Sequence, residues 1–455
     1  MARTVAHLPG VAPDLLLSGE REQRLGRLTA SAKVSRWIPA AIFVSALLLR
    51  AAFFTAHSRP LQSDEIDYDE LGWTLATTGA YSSQGHPTAY RPIGYPASIA
   101  AVYAIAGRNP LAVKWAQAIL DSGTAVLLFA LFSRRHRAAG FIAGVAWAWF
   151  PAAILFTDQL FSESLLVFFL VGFFYVASRD DAKPWLARAG GLLLGGLILI
   201  KPLVMSLFAV AAPYALDPKR PRRRVAMLAF AFLPVALWIA RNALVMGAPV
   251  LTTSAGVNLF IGNHRGATGS YAPVDAATAP PEGRTEIQND AFAGRAALDD
   301  MARDPFGTAA RAVRKVLLLA TSEGELVVGH FAKDDGRYRE RFRSVPAWIH
   351  LLVSVPSALV LVLGVLGLLT RAPDRTSRLF YALLVGTVLS TIIFFGGSRF
   401  RFPLMAPLVG FAAEFSCAWR AGAVAFTKRK LVLATATIGT FLAVWACEIY
   451  LLTAA

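Results

Sequence analysis

The sequence predicts an all-α, polytopic membrane protein, and three observations carry that expectation. Of 455 residues, 56% are hydrophobic and only 16% charged, with a mean hydropathy of +0.51, a balance foreign to soluble domains. Apolar runs long enough to cross a bilayer recur along the chain. The net charge of +16, from 45 Lys and Arg against 29 Asp and Glu, is concentrated in short loops that alternate crossing would bring to one face, as the positive-inside rule requires. Nucleic-acid binding is therefore not the meaning of the charge.

Residues 1–36 are polar and basic and carry no small-residue cleavage site, so a cytoplasmic segment without a removable signal is expected. Trp37 to Ala56 is the first span. The loop after it, residues 57–110, is then extracytoplasmic, and Ile93 to Gly107 inside it is short and starts at a Gly-Tyr-Pro break, as an interfacial helix would. Leu111 to Phe132 returns the chain to the basic cluster Arg134-Arg135-His136-Arg137. Phe141 to Phe156 and Leu165 to Ala177 form the next pair. Gly190 to Ala215 reads as a hairpin with Lys201-Pro202 at its outer tip, because basic residues flank both ends. Val225 to Val245 leads to a polar extracytoplasmic segment, 246–346, with room for chemistry. Trp348 to Leu369, Leu379 to Phe395, Leu404 to Trp419 and Leu431 to Leu452 complete about eleven spans. The chain thus divides into 1–36, a catalytic module 37–245, the loop 246–346 and C-terminal helices 347–455.

The stretch after the first span holds the chemistry. Asp64, Glu65, Asp67, Asp69 and Glu70 crowd into seven residues, followed by Tyr90-Arg91-Pro92-Ile93-Gly94-Tyr95-Pro96. Asp64 and Tyr68 share one helical face, and Leu71, Leu75 and Ala76 supply an apolar stripe, the pattern of an amphipathic helix on a membrane. A carboxylate at its start is a candidate base; a plain solvated acidic face is the competing account. Arg399 and Arg401, two outward arginines at period two, suit a phosphate clamp or lipid-headgroup anchoring. Glu163 and Lys201 project from tight outer turns, where they are contacts or merely solvated. The cluster Asn258 to Tyr271, with Gly262-Asn263 and Thr268-Gly269, offers amides for sugar hydroxyls, or forms only a surface turn.

Several chemistries are excluded. The cysteines, Cys417 and Cys447, fall near opposite ends of their spans and should not pair. Zinc-ligand spacing, a Gly-rich phosphate loop and a Gly-x-Ser-x-Gly elbow are missing.

In joint order, Asp64-Glu65 with Tyr68, Arg91-Pro92-Ile93-Gly94-Tyr95-Pro96, Glu163, Lys201-Pro202, Arg241-Asn242, Gly262-Asn263 and Arg399-Phe400-Arg401-Phe402-Pro403 resemble the bacterial branch of the protein mannosyltransferase and aminoarabinose transferase families. These are membrane glycosyltransferases of the C-type fold. The resemblance covers about residues 37 to 415, with Ile93 where proline is commoner, and lacks the large soluble C-terminal domain of oligosaccharyltransferases. It implies a polyprenyl-phosphate sugar as donor, a lipid, glycan or protein acceptor, and transfer on the extracytoplasmic face of the inner (plasma) membrane. Asp64 takes the central catalytic role, with Glu65 second. Tyr68, Arg91, Tyr95, Glu163, Lys201, Asn263, Arg399 and Arg401 are candidates for the donor phosphate and substrate. No cofactor is required, although Asp64 and Glu163 offer oxygens suited to magnesium or manganese. A lipid-linked sugar flippase or a polysaccharide polymerase or ligase are the alternatives.

Overall fold

A computed structural model describes residues 37–453 except 58, 180–182, 217–218, 272–283 and 333–335, so the expected cytoplasmic segment 1–36 lies outside the described residues. In chain order the helices are α1 (Ile38–Ala56), α2 (Asp64–Thr78), α3 (Gly94–Ala106), α4 (Pro110–Ser133), α5 (Arg137–Ala148), α6 (Pro151–Asp158), α7 (Glu163–Ala177), α8 (Pro184–Ile200), α9 (Pro202–Leu216) and α10 (Pro221–Met246). Then come α11 (Ala255–Asn263), α12 (Glu286–Arg303), α13 (Pro305–Leu318), α14 (Gly324–Phe331), α15 (Tyr338–Ser344), α16 (Ala347–Thr370), α17 (Arg375–Ile393), a 3₁₀ turn (Ser398–Arg401), α18 (Phe402–Arg420) and α19 (Lys428–Thr453). A two-residue hairpin, β1 (Ser82–Ser83) with β2 (His86–Pro87), is the one sheet among the described residues.

Among the described residues seven helices are long and apolar enough to cross a membrane, and the α5–α6 pair, bent by 45°, is an eighth if it counts as one broken span. This is a multi-pass membrane protein. The expected count of about eleven is not established by length. The segments α7, α8 and α9 have 15, 17 and 15 residues, and at about 1.5 Å per residue each falls short of a hydrocarbon layer of about 30 Å. At 13 residues, α3 is shorter still, and it packs chiefly on α2.

Proline and glycine punctuate the bundle. Pro151 opens α6 after the α5 break, where the carbonyls of Trp147 and Ala148 lose their helical donors. Arg50 of α1, fully buried, supplies them: its guanidinium donates to Ala148 O at 2.8 Å and Trp147 O at 3.3 Å, and its Nε to Asp121 Oδ2 at 2.7 Å. Trp147 Nε1 donates to the other Asp121 oxygen at 3.1 Å. Charge inside the spans thus ties α1, α4 and α5 together. Elsewhere small residues allow close helix contact, as Gly191 and Gly195 of α8 do against Met227 to Pro234 of α10, and Gly364 and Gly367 of α16 do against α18.

Two devices fix the loop ahead of α3. Glu286, at the start of α12, accepts from Thr88 Oγ1 at 2.7 Å and Ala89 N at 2.9 Å, and also from Thr253 Oγ1. Arg241 donates to Tyr81 O at 2.6 Å and Thr88 O at 3.0 Å. Segment 246–346 is therefore a brace for the loop carrying Arg91.

Gly94 makes the second contact possible. A Cβ there would lie 2.8 Å from Ile200 N and from the carbonyl carbon and oxygen of Leu199, so only glycine lets α3 touch the backbone just before Lys201. Gly94→Ala must push that backbone away and should cost about 1–3 kcal/mol, lowering the thermal-shift midpoint in detergent. Gly172→Ala, whose Cβ meets only Leu127 at 4.0 Å, should leave it unchanged or raise it.

Candidate active site

A cavity of about 540 Å³ opens where α2, the α8–α9 break, the 3₁₀ turn and α14 converge. Its wall includes Asp64, Glu65, Tyr68, Arg91, Lys201 and Arg399, together with Tyr90, Tyr271 and Glu325 and an apolar side containing Phe156, Leu326, Phe394 and Phe400.

Asp64 stands between two arginines. Its Oδ1 accepts from Arg91 Nη2 at 2.7 Å, and its Oδ2 lies 3.5 Å from Arg399 Nη1. The side chain is 26% exposed, open to the cavity. Ser63 before it holds φ at +50°, a conformation costing a non-glycine residue about 1–2 kcal/mol, so backbone strain sits next to the candidate base. Arg91 also grips Asp67 Oδ2 at 2.7 Å. Burial opposes its charge, but Asp64, Tyr68 and Asp67 outweigh that and raise its pKa above the ordinary arginine value. Tyr68 meets Tyr95 edge-on at 4.9 Å between centroids, and burial pushes its hydroxyl up to about 12, so it stays protonated at neutral pH and is a hydrogen-bond donor.

Behind this wall lies Glu163, fully buried at the start of α7. Arg399 clamps it through Nε at 2.5 Å and Nη2 at 3.1 Å, and Lys201 Nζ reaches Glu163 Oε1 at 2.5 Å. Burial lowers the Lys201 pKa, with Glu163 pulling the other way. Arg399 also lies over the Phe161 ring at 4.0 Å. Among the described residues, Nη1 of Arg91 and Nη1 of Arg399 make no hydrogen bond, and Lys201 has two of its three N–H groups left. These donors remain for a ligand.

Other expected contacts take different roles. Glu65 turns away from Asp64: Arg59 holds both its oxygens at 2.6 and 2.8 Å, and Leu160 N and Gln62 N donate at 2.8 and 3.1 Å. With Asp158, which accepts from Arg59 Nε at 3.2 Å and Lys114 Nζ at 2.6 Å, it locks the loop to the α6–α7 turn. Asp69, far from being solvated, accepts from Tyr103 and from Arg108 at 2.6 and 2.9 Å. The helical period explains the split, for Asp64 and Tyr68 share the cavity face while Glu65 and Asp69 share the next.

Tyr95 is 1% exposed and donates to Gln117 Oε1 at 2.8 Å. Asn263 spends its amide on Leu259 O and Ile393 O and accepts from Lys315 at 2.7 Å. Neither lines the cavity. Nor does Arg401, which donates to Leu319 O, Thr321 O and Glu323 Oε1 at 2.6, 2.7 and 2.7 Å. The sequence suggested a pair of arginines side by side, but residues 398–401 form a 3₁₀ turn, in which two positions differ by about 240° around the axis. The clamp is Arg399 with Arg91 and Lys201.

A divalent ion on Asp64 and Glu163 does not fit this arrangement, because the guanidinium of Arg399 binds both and Lys201 also occupies Glu163. Among the described residues no group of three His, Cys, Asp or Glu stands together as a metal site.

Glu325 was not singled out from the sequence, where it is one of several charges in a long loop. It opens into the cavity, yet protein surrounds it, and burial followed by the Glu448 charge raises its pKa. It has no ion-pair partner within 4 Å among the described residues. Gln159 and Ser390 in the same wall each keep a buried side-chain oxygen without a hydrogen-bond partner among the described residues.

These placements separate structural from exposed charges. Arg401→Ala leaves Glu323 buried without its cation and should cost about 3–5 kcal/mol, and Glu65→Gln should also destabilise. Arg399→Lys should keep most of the thermal-shift midpoint, since Glu163 retains Lys201, yet lose the planar fork toward a ligand.

No family model matches the chain, and no curated protein matches it. Among solved structures it is similar to the oligosaccharyltransferase AglB of Archaeoglobus fulgidus in complex with an inhibitory peptide and a dolichol-phosphate, 13% identical, with 92% of this chain covering 56% of that one at a TM-score of 0.46. An Archaeoglobus fulgidus oligosaccharyltransferase tethered with an acceptor peptide gives 13% identity, 90% and 55% coverage and a TM-score of 0.42. ArnT from Cupriavidus metallidurans bound to undecaprenyl phosphate is 15% identical, with 84% and 78% coverage and a TM-score of 0.41. The chain spans about half the length of the oligosaccharyltransferase it matches.

Proposed function

We propose that this protein is an integral-membrane glycosyltransferase of the C-type fold that moves a sugar from a polyprenyl-phosphate donor to a hydroxyl of a lipid, glycan or protein acceptor. One observation carries the reading: a cavity at one end of a membrane bundle brings Arg91, Lys201 and Arg399 around the carboxylate of Asp64. The cations suit a phosphate and the carboxylate suits a hydroxyl proton. The apolar side suits the first isoprene units. The Gln159 and Ser390 oxygens suit sugar hydroxyls.

In this mechanism the acceptor oxygen attacks the anomeric carbon as Asp64 receives or orients the hydroxyl proton. The bond from that carbon to the phosphate oxygen breaks, and the free N–H groups of Arg91, Arg399 and Lys201 stabilise the departing lipid phosphate. Tyr68 supplies a further hydroxyl donor. Glu163 holds Arg399 and Lys201 in place without touching substrate. A flippase would carry its ionisable groups along a path within the spans, whereas Arg50 and Asp121 there bond one another and do not line the cavity.

The test is transfer from a polyprenyl-phosphate sugar to membrane acceptors by the purified protein, beside undecaprenyl phosphate binding by native mass spectrometry. Asp64→Asn should reduce transfer by about 10²- to 10⁴-fold, roughly 3–5 kcal/mol of barrier, while lipid-phosphate binding persists. Wild-type turnover in that variant would remove Asp64 from the mechanism. A second measurement concerns Glu325, proposed here to hold the acceptor as a carboxylate. A raised pKa means that it protonates at higher pH than a free glutamate, so transfer should decline on mild acidification. Glu325→Gln should abolish that acid limb, and an unchanged profile would place Glu325 outside the reaction.

A further inference from the structure

Helix α13 is amphipathic in the reverse sense. Phe306, Val313 and Leu317 are 89%, 63% and 41% exposed, and Ala309 and Ala310 between them are exposed too. At a period of 3.6 residues these positions form one apolar stripe along the helix. One of its cations points the other way: Lys315 is fully buried and donates to Asn263 Oδ1 at 2.7 Å and Ile392 O at 3.0 Å. Water around α13 would favour the opposite arrangement.

Neighbouring elements say what covers the stripe. Ile392 is the second-to-last residue of α17, a helix long and apolar enough to cross a membrane, whose Val385, Leu389, Ile392 and Ile393 are themselves exposed. The bond from Lys315 therefore fixes α13 beside the end of a span, with the stripe on its opposite side, facing away from the bundle. Arg303, the last residue of α12, and Arg314 of α13 are both exposed.

We infer that α13 is an interfacial helix that rests on the lipid surface through Phe306, Ala310, Val313 and Leu317, with Arg303 and Arg314 on the phosphates. Such a helix sinks its apolar face to the boundary between headgroups and acyl chains. One consequence concerns the cavity. Gly396 lies against the α13 backbone so closely that a Cβ there would be 2.9 Å from Lys315 Cα, and Gly396 N donates to Gly269 O at 2.8 Å. The strap from Gly396 to Arg399 thus rides on α13, which puts the cavity wall at headgroup depth.

Spin labels test this in the full chain without reference to activity. With Cys417 and Cys447 replaced by alanine, nitroxides are attached through Phe306→Cys, Val313→Cys and Leu317→Cys, with exposed Asp299→Cys as the aqueous reference. The protein is reconstituted in phosphatidylethanolamine and phosphatidylglycerol vesicles. Labels at 306, 313 and 317 should collide several-fold more often with oxygen than with a water-soluble nickel chelate, relative to position 299. Water-like ratios at all three would overturn the inference. So would labels shielded from both reagents, which would mean that protein, a second copy of this chain included, covers the stripe.

Discussion

The buried carboxylate of Glu163 is the point on which the site depends. A charge with no exposed surface, at the edge of an apolar bundle, is tolerated only if compensated nearly completely. Its compensation comes from Lys201, 38 positions on, and Arg399, 236 positions on. To satisfy one carboxylate the chain must bring together the start of α7, the break between α8 and α9, and the 3₁₀ turn before α18. Those three elements are the back wall of the cavity. Electrostatic need and cavity architecture are therefore the same constraint, and the residues that meet it keep spare N–H groups on the cavity side.

A second layer of ion pairs fixes the front. Glu65 with Arg59, Asp158 and Lys114 fastens the loop after α1 to the α6–α7 turn, and Asp69 with Arg108 and Tyr103 fastens α2 to α3. Asp64 is left on the one face of α2 that looks into the cavity. The acidic run is neither a solvated surface nor a set of equivalent catalysts. It divides by helical phase into one carboxylate open to the cavity and others, Glu65 and Asp69, that hold its helix in place. Glu286 and Arg241 do the corresponding work for the loop carrying Arg91.

The membrane enters as a third constraint. Spans too short to cross alone, such as α7 and α9, pack with longer neighbours. Helix α13 meets lipid instead through its own apolar stripe. Arg50 and Asp121, inside the bundle, close a break in the backbone rather than lining a path. The polar chemistry collects at one end.

The sequence by itself determined the helical membrane class, the approximate position of nearly every apolar helix, and the amphipathic start of α2. Those properties follow from hydropathy and a period of 3.6 residues, which are local. The sequence also pointed to Asp64, Tyr68, Arg91, Lys201 and Arg399, all of which line the cavity. Only the tertiary structure decided that Tyr95, Asn263 and Arg401 turn into the protein body, that Arg59 takes up both oxygens of Glu65 at the cavity wall, and that Glu325 opens into the cavity. Local pattern could not decide these, because a charged side chain faces whichever partner the fold brings to it. The partners of Arg401 lie about eighty residues away, and a 3₁₀ turn separates its side chain from that of Arg399.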